Sequence, residues 1–106
     1  MDDAIVPAER LIYLSSAARR LADLVAAAET PVRYEALRHL LRVSEETMTE
    51  VLDETVASRL VARGDDAFTY VAASVATGTA IREAMDPERR SRLRAQIASA
   101  SQRVFE

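Results

Sequence analysis

The chain has 106 residues, 49% of them hydrophobic and 29% charged, with a formal net charge of −3; this suits one domain with its own core and leaves no room for a second. It contains no cysteine, which excludes disulfides, thiolate nucleophiles and cysteine-ligated zinc. No apolar run reaches the ~20 residues of a membrane span, and Met1-Asp2-Asp3 is acidic where a signal peptide would be basic, so a cytoplasmic protein is expected.

A short apolar patch, Leu11 to Leu14, follows Pro7, and Ser15 or Ser16 can cap a helix behind it. At ~100° per residue, Ala17, Leu21, Leu24, Val25 and Ala28 share one arc, predicting a first helix that ends near Glu29. Thr30-Pro31 interrupts it, because proline lacks the ladder donor and disfavours helical geometry in the residue before it. Val32-Arg33 is either a short extended segment or the entry to a second helix, in which Leu37, Leu40 and Leu41 recur at helical spacing from Tyr34 onward.

Arg42-Val43-Ser44 reads as a turn, and three signals agree on the helix start behind it. The Ser44 hydroxyl can accept from a free first-turn N–H. Glu45 and Glu46 sit where the helix dipole favours negative charge, and Val43 and Met48 occupy the positions of a hydrophobic staple. The helix runs to Ser58 or Leu60 with Met48, Val51, Leu52, Thr55 and Val56 on one side. Two β-capable runs, Leu60 to Arg63 and Phe68 to Val71, then flank Gly64-Asp65-Asp66-Ala67, the pattern of a hairpin. A further helix spans roughly Ser74 to Met85, weakened by Thr77, Gly78 and Thr79. Asp86-Pro87-Glu88 opens a last one with Leu93, Ile97, Ala100 and Val104 on a stripe.

Short helix, three-residue turn, longer helix and two-stranded hairpin is the order of a winged helix-turn-helix. The expected fold is therefore mainly α: a winged helix-turn-helix with a short β-hairpin wing and additional N- and C-terminal helices. It forms one domain over residues 1–106, with its core at about 15–85 and the C-terminal helix at about 87–105.

In such a fold the helix from Ser44 is the one that DNA-reading proteins place in the major groove. Its outward side carries Glu46, Glu50, Asp53, Glu54 and Ala57, an acidic surface. From Thr30 to Val71, five arginines face eight carboxylates, and even the hairpin tip is Gly64-Asp65-Asp66. Duplex binding draws on phosphate neutralisation, so this surface disfavours it. The basic residues collect at Arg82, Arg89, Arg90, Arg92 and Arg94, an arginine cluster fit for phosphate, for an acidic neighbour or for solvent.

No catalytic apparatus is evident. His39 points away from the Leu37/Leu40/Leu41 face and has no gathering of carboxylates near it in sequence. Ser15, Ser16, Ser44 and Ser74 lack a histidine and carboxylate arrangement to activate them. Gly64 and Gly78, the only glycines, belong to no phosphate-binding loop. No cofactor, metal or enzymatic activity is expected.

The motif order resembles the winged-helix module that follows the nucleotide-binding core in STAND-type ATPases, including large LuxR-like transcriptional regulators. The residues that carry the resemblance run from about Leu14 to Ala100. They are Leu14-Ser15-Ser16-Ala17-Ala18-Arg19-Arg20-Leu21, then Val43-Ser44-Glu45-Glu46 through Leu52-Asp53-Glu54 and Leu60-Val61, then Glu83-Ala84-Met85-Asp86-Pro87-Glu88-Arg89-Arg90 and Leu93. The resemblance implies a module that packs on an ATPase core and helps hold an inactive, ADP-bound state, while a separate domain reads DNA. Two positions depart from the family pattern. Ser74 stands where a nucleotide-facing histidine is common, and Gly78-Thr79 where an Arg-Glu pair is common.

The leading expectation is a non-enzymatic interaction module related to a transcriptional regulator. It would contact a protein partner or a neighbouring ATPase domain through Arg89, Arg90, Arg92 and Arg94 or through Glu46, Glu50, Asp53 and Glu54. The alternative is a small DNA-binding regulator, a homodimer through its first and last helices, reading duplex with Arg42, Thr47, Thr49 and Arg63. A weaker third reading is an adaptor that dimerises through the Leu93/Ile97/Val104 stripe.

Overall fold

Each helix starts or stops for a local reason that is visible in its capping residues. The structure, a computed structural model, describes residues 14–66 and 68–104; the Leu11 to Tyr13 part of the predicted apolar patch lies outside them. Helix α1 (Ser16–Ala28) begins at Ser15, whose hydroxyl accepts from the Ala18 N–H at 3.2 Å. It ends at Glu29 in the left-handed region, before Pro31. Strand β1 (Val32–Arg33) leads directly into α2 (Tyr34–Leu41), which closes at Arg42, also left-handed at φ 56°. Ser44 then caps α3 (Glu45–Ala57) by accepting from the Thr47 N–H at 3.2 Å.

The two runs behind α3 form β2 (Val61–Arg63) and β3 (Thr69–Ala72). Pairing is antiparallel with Val61 opposite Ala72 and Arg63 opposite Tyr70. The predicted hairpin gains a third strand: β1 lies on the other edge of β3, Val32 opposite Tyr70 and Arg33 opposite Thr69, giving the order β1-β3-β2. At the tip, Thr69 donates its hydroxyl to the Asp66 carbonyl at 2.7 Å. A side chain at Gly64 would collide with that same hydroxyl, so the glycine is required for room and not for its φ. Phe68, expected in the strand, instead sits in the loop at φ 66° with 67% of its surface exposed.

Helix α4 (Val75–Glu83) starts on the Ser74 cap, and α5 (Pro87–Val104) starts where Asp86 accepts from the Glu88 N–H at 2.9 Å. Gly78, which weakens α4 as a helix, is buried against β3. A Cβ there would meet the Ala72 Cβ and Arg82 Nη1, both at 3.1 Å. Its absence leaves space for Arg82 to donate to the Ala26 carbonyl at 2.9 Å, tying α4 to the end of α1.

The core is built around α1, whose Leu21, Leu24, Val25, Ala26 and Ala27 are all buried. It is completed by Leu37, Met48, Leu60, Val61 and Ile81. Small alanines let α2, α3, α4 and α5 approach α1 closely. Thr55 is buried in α3 with its hydroxyl donating back to the Val51 and Leu52 carbonyls, both at 3.0 Å, so its own polar group is satisfied. Val56, expected on the inner side, is 45% exposed. It lies at the edge of the arc that centres on Met48, where a ~100° step carries it past the seam. Leu93, Ile97 and Ala100 are buried against α1 and α2, so Leu93 and Ile97 serve the monomer's own core and are not a free dimerisation seam. No helix among the described residues is long and apolar enough to cross a membrane.

Candidate functional site

The charged side chains divide into two faces. The first is the outer side of α3, where Glu46, Glu50 and Asp53 are all exposed. With a rise of ~1.5 Å per residue they form a row about 10 Å long. None of the three has an ion-pair partner among the described residues. Asp65 and Asp66 at the wing tip are exposed as well. Glu45 is different, held by Arg38 at 3.3 Å.

Glu54 leaves that row. It is half-buried, and its carboxylate accepts from the Ser15 N–H at 2.7 Å and from the Ser15 hydroxyl at 2.9 Å. A negative group at the start of α1 is favoured by the helix dipole, so Glu54 is a long-range cap that pins α3 to α1. Among the residues expected to face DNA in the alternative reading, Thr47 accepts from the Ser44 hydroxyl at 3.2 Å. Thr49 donates to the Glu45 carbonyl at 3.0 Å, turned back on its own helix. Arg63 is exposed at the end of β2, and Arg42 lies at the end of α2 beside α5.

The second face is basic, and the structure splits the predicted arginine cluster. Arg89 holds the buried Asp23 of α1 at 2.9 Å. Arg90 and Arg94 hold Glu29 at 3.3 and 3.7 Å. With Arg82 on the Ala26 carbonyl, Arg90 and Arg94 place three cations at the C-terminal end of α1. That helix has no basic residue in its own last turn, so α4 and α5 supply the positive charge that the dipole there favours.

Arg92 lies on the opposite flank of α5. Stepping ~100° per residue from Leu93 puts Arg92, Gln96 and Ser99 on one side of the buried stripe and Arg90 and Arg94 on the other. On that side α5 borders two adjoining clefts that share Arg20 and Gln96. One, about 460 Å³, is walled by Arg19, Arg20, Arg89 and Arg92. The other, about 560 Å³, is walled by Arg20, His39 and Arg42. His39 is exposed, as expected, and opens onto this cleft.

Sequence reasoning grouped Arg89 to Arg94 by proximity along the chain and missed Arg19 and Arg20, although their adjacency on the polar side of α1 was a signal. Among the described residues no group of histidine and carboxylate side chains is placed to hold a metal. Comparison of the chain with family models, curated proteins and solved structures gave no match.

Proposed function

We propose that this chain is a winged-helix module that works by contacting protein, without chemistry of its own, and that it belongs with the regulatory modules of STAND-type and large LuxR-like transcriptional regulators. The α1-β1-α2-α3-β2-β3 order, with β1 completing the sheet, supports the winged-helix class. The observation that carries the reading is the polarity of α3: its most outward line is Glu46, Glu50 and Asp53, each exposed. A helix entering the major groove would bring these carboxylates against phosphate.

The alternative of a DNA-reading homodimer finds less support in the residues it would use. Thr47 accepts from the Ser44 hydroxyl and Thr49 donates to the Glu45 carbonyl, and Arg42 belongs to the α5 side. Only Arg63 of that set remains beside the wing. Fluorescence titration with duplex at about 0.15 M salt should give no measurable binding, because the few remaining phosphate contacts are weak at that ionic strength. Tight, salt-sensitive binding would overturn the reading. The triple variant Glu46→Lys/Glu50→Lys/Asp53→Lys should gain duplex affinity by about ten-fold or more, since it turns repulsion into phosphate neutralisation.

A further inference from the structure

We propose that the cleft bounded by α1, α5 and the end of α2 is a docking groove for an acidic segment of a protein partner. The proposal rests on the reading of the chain as an interaction module and names the surface and the chemistry of what it binds. Four exposed arginines converge there from three elements: Arg19 and Arg20 from α1, Arg42 from the end of α2, and Arg92 from α5. Among the described residues none of the four has an ion-pair partner.

Their crowding is uncompensated because, among the described residues, no carboxylate lines either cleft. The nearby carboxylates of α1, Asp23 and Glu29, are already held by Arg89, Arg90 and Arg94. Like charges brought together without an anion raise the free energy of the unliganded surface, and an anionic partner relieves it. Guanidinium groups suit carboxylates because each presents a planar fork of donors.

The dimensions and lining select the class of anion. From Arg89 to Ser99 the groove follows α5 for about 15 Å, the length of roughly ten helical residues or four to five extended ones. Leu40, Leu93, Ala95 and Ala100 provide apolar walls between the arginines. A segment with acidic residues interspersed among aliphatic ones matches this alternation. Nucleic acid matches it poorly: among the described residues no aromatic side chain lines the clefts to stack a base.

The test uses a fluorescein-labelled peptide of about ten residues, half glutamate and half leucine and alanine, sized to the groove by helical rise. Anisotropy should report binding at low salt that weakens as screening grows. The Arg20→Glu/Arg92→Glu variant should weaken it by about ten-fold or more, as reversal of facing charges does, while Glu50→Lys should retain it. Melting followed by circular dichroism checks the fold, and Arg20→Gln/Arg92→Gln is read in place of the charge reversal if that variant does not fold. Peptide affinity that is absent, or that both arginine variants leave intact, would overturn the groove. So would tighter binding of a single-stranded oligonucleotide of equal charge, lost in the same variants. Self-association abolished by both Arg20→Gln/Arg92→Gln and Glu50→Lys would replace the foreign segment by the α3 row of a second copy. Failure of the peptide with no duplex binding either removes the groove and leaves the interaction-module reading standing.

Discussion

The two flanks of α5 carry the same residue type to different ends. On one flank Arg90 and Arg94 meet Glu29, and beside the buried stripe Arg89 meets Asp23, so these side chains fasten α5 to α1. On the other flank Arg92 meets no carboxylate among the described residues and joins Arg19 and Arg20 across a cleft. An arginine cluster in sequence is therefore not one surface. The helical step divides it, and only the part turned from the α1 carboxylates is free for another molecule.

The sharpest way to break this comparison is Arg89→Ala. It leaves the buried Asp23 carboxylate without its cation, and because Arg89 is partly exposed the loss falls below that of a fully buried pair, at about 2 kcal/mol. Chemical denaturation should register it as a lower midpoint at unchanged slope; an unchanged midpoint would mean that the Asp23 pair contributes nothing. Next comes Glu54→Gln, which keeps the shape but removes the charge facing the start of α1. A loss of about 1 kcal/mol is expected, with faster amide exchange in the first turn of α1 as the local readout. Smallest is Arg92→Ala, expected to change stability by less than about 0.5 kcal/mol, as exposed substitutions without partners do. A melting temperature lowered as far as in Arg89→Ala would erase the distinction between the flanks.

Local chemistry was the readable part of this fold. The Ser15 and Ser44 caps, the Pro31 interruption and the Asp86-Pro87 start all depend on groups within one helical turn, and each stands where the residues place it. What resisted reading was decided by distant neighbours. Two residues are too few for Val32-Arg33 to display strand alternation, and β3 alone makes them a strand. Gly78 looked like a helix defect until Ala72 and Arg82 filled the space beside it. Phe68 has strand chemistry but occupies the turn at positive φ.

The charged faces divide in the same manner. Glu46, Glu50 and Asp53 share a single helix, so their common exposure follows from period alone. The basic cleft draws on α1, α2 and α5 together, and no one-dimensional pattern links Arg20, Arg42 and Arg92. Glu54 shows the reverse error: the period places it near the outward carboxylates, and Ser15 takes it away.

That clasp also has a temporal consequence. Ser15 and Glu54 are separated by 39 positions, so the opening turn of α1 gains its carboxylate only after a long loop has closed, and loop closure must precede the contacts that reward it. Helix α1 should therefore acquire a firm beginning late in folding, once the helix-turn-helix behind it has already assembled.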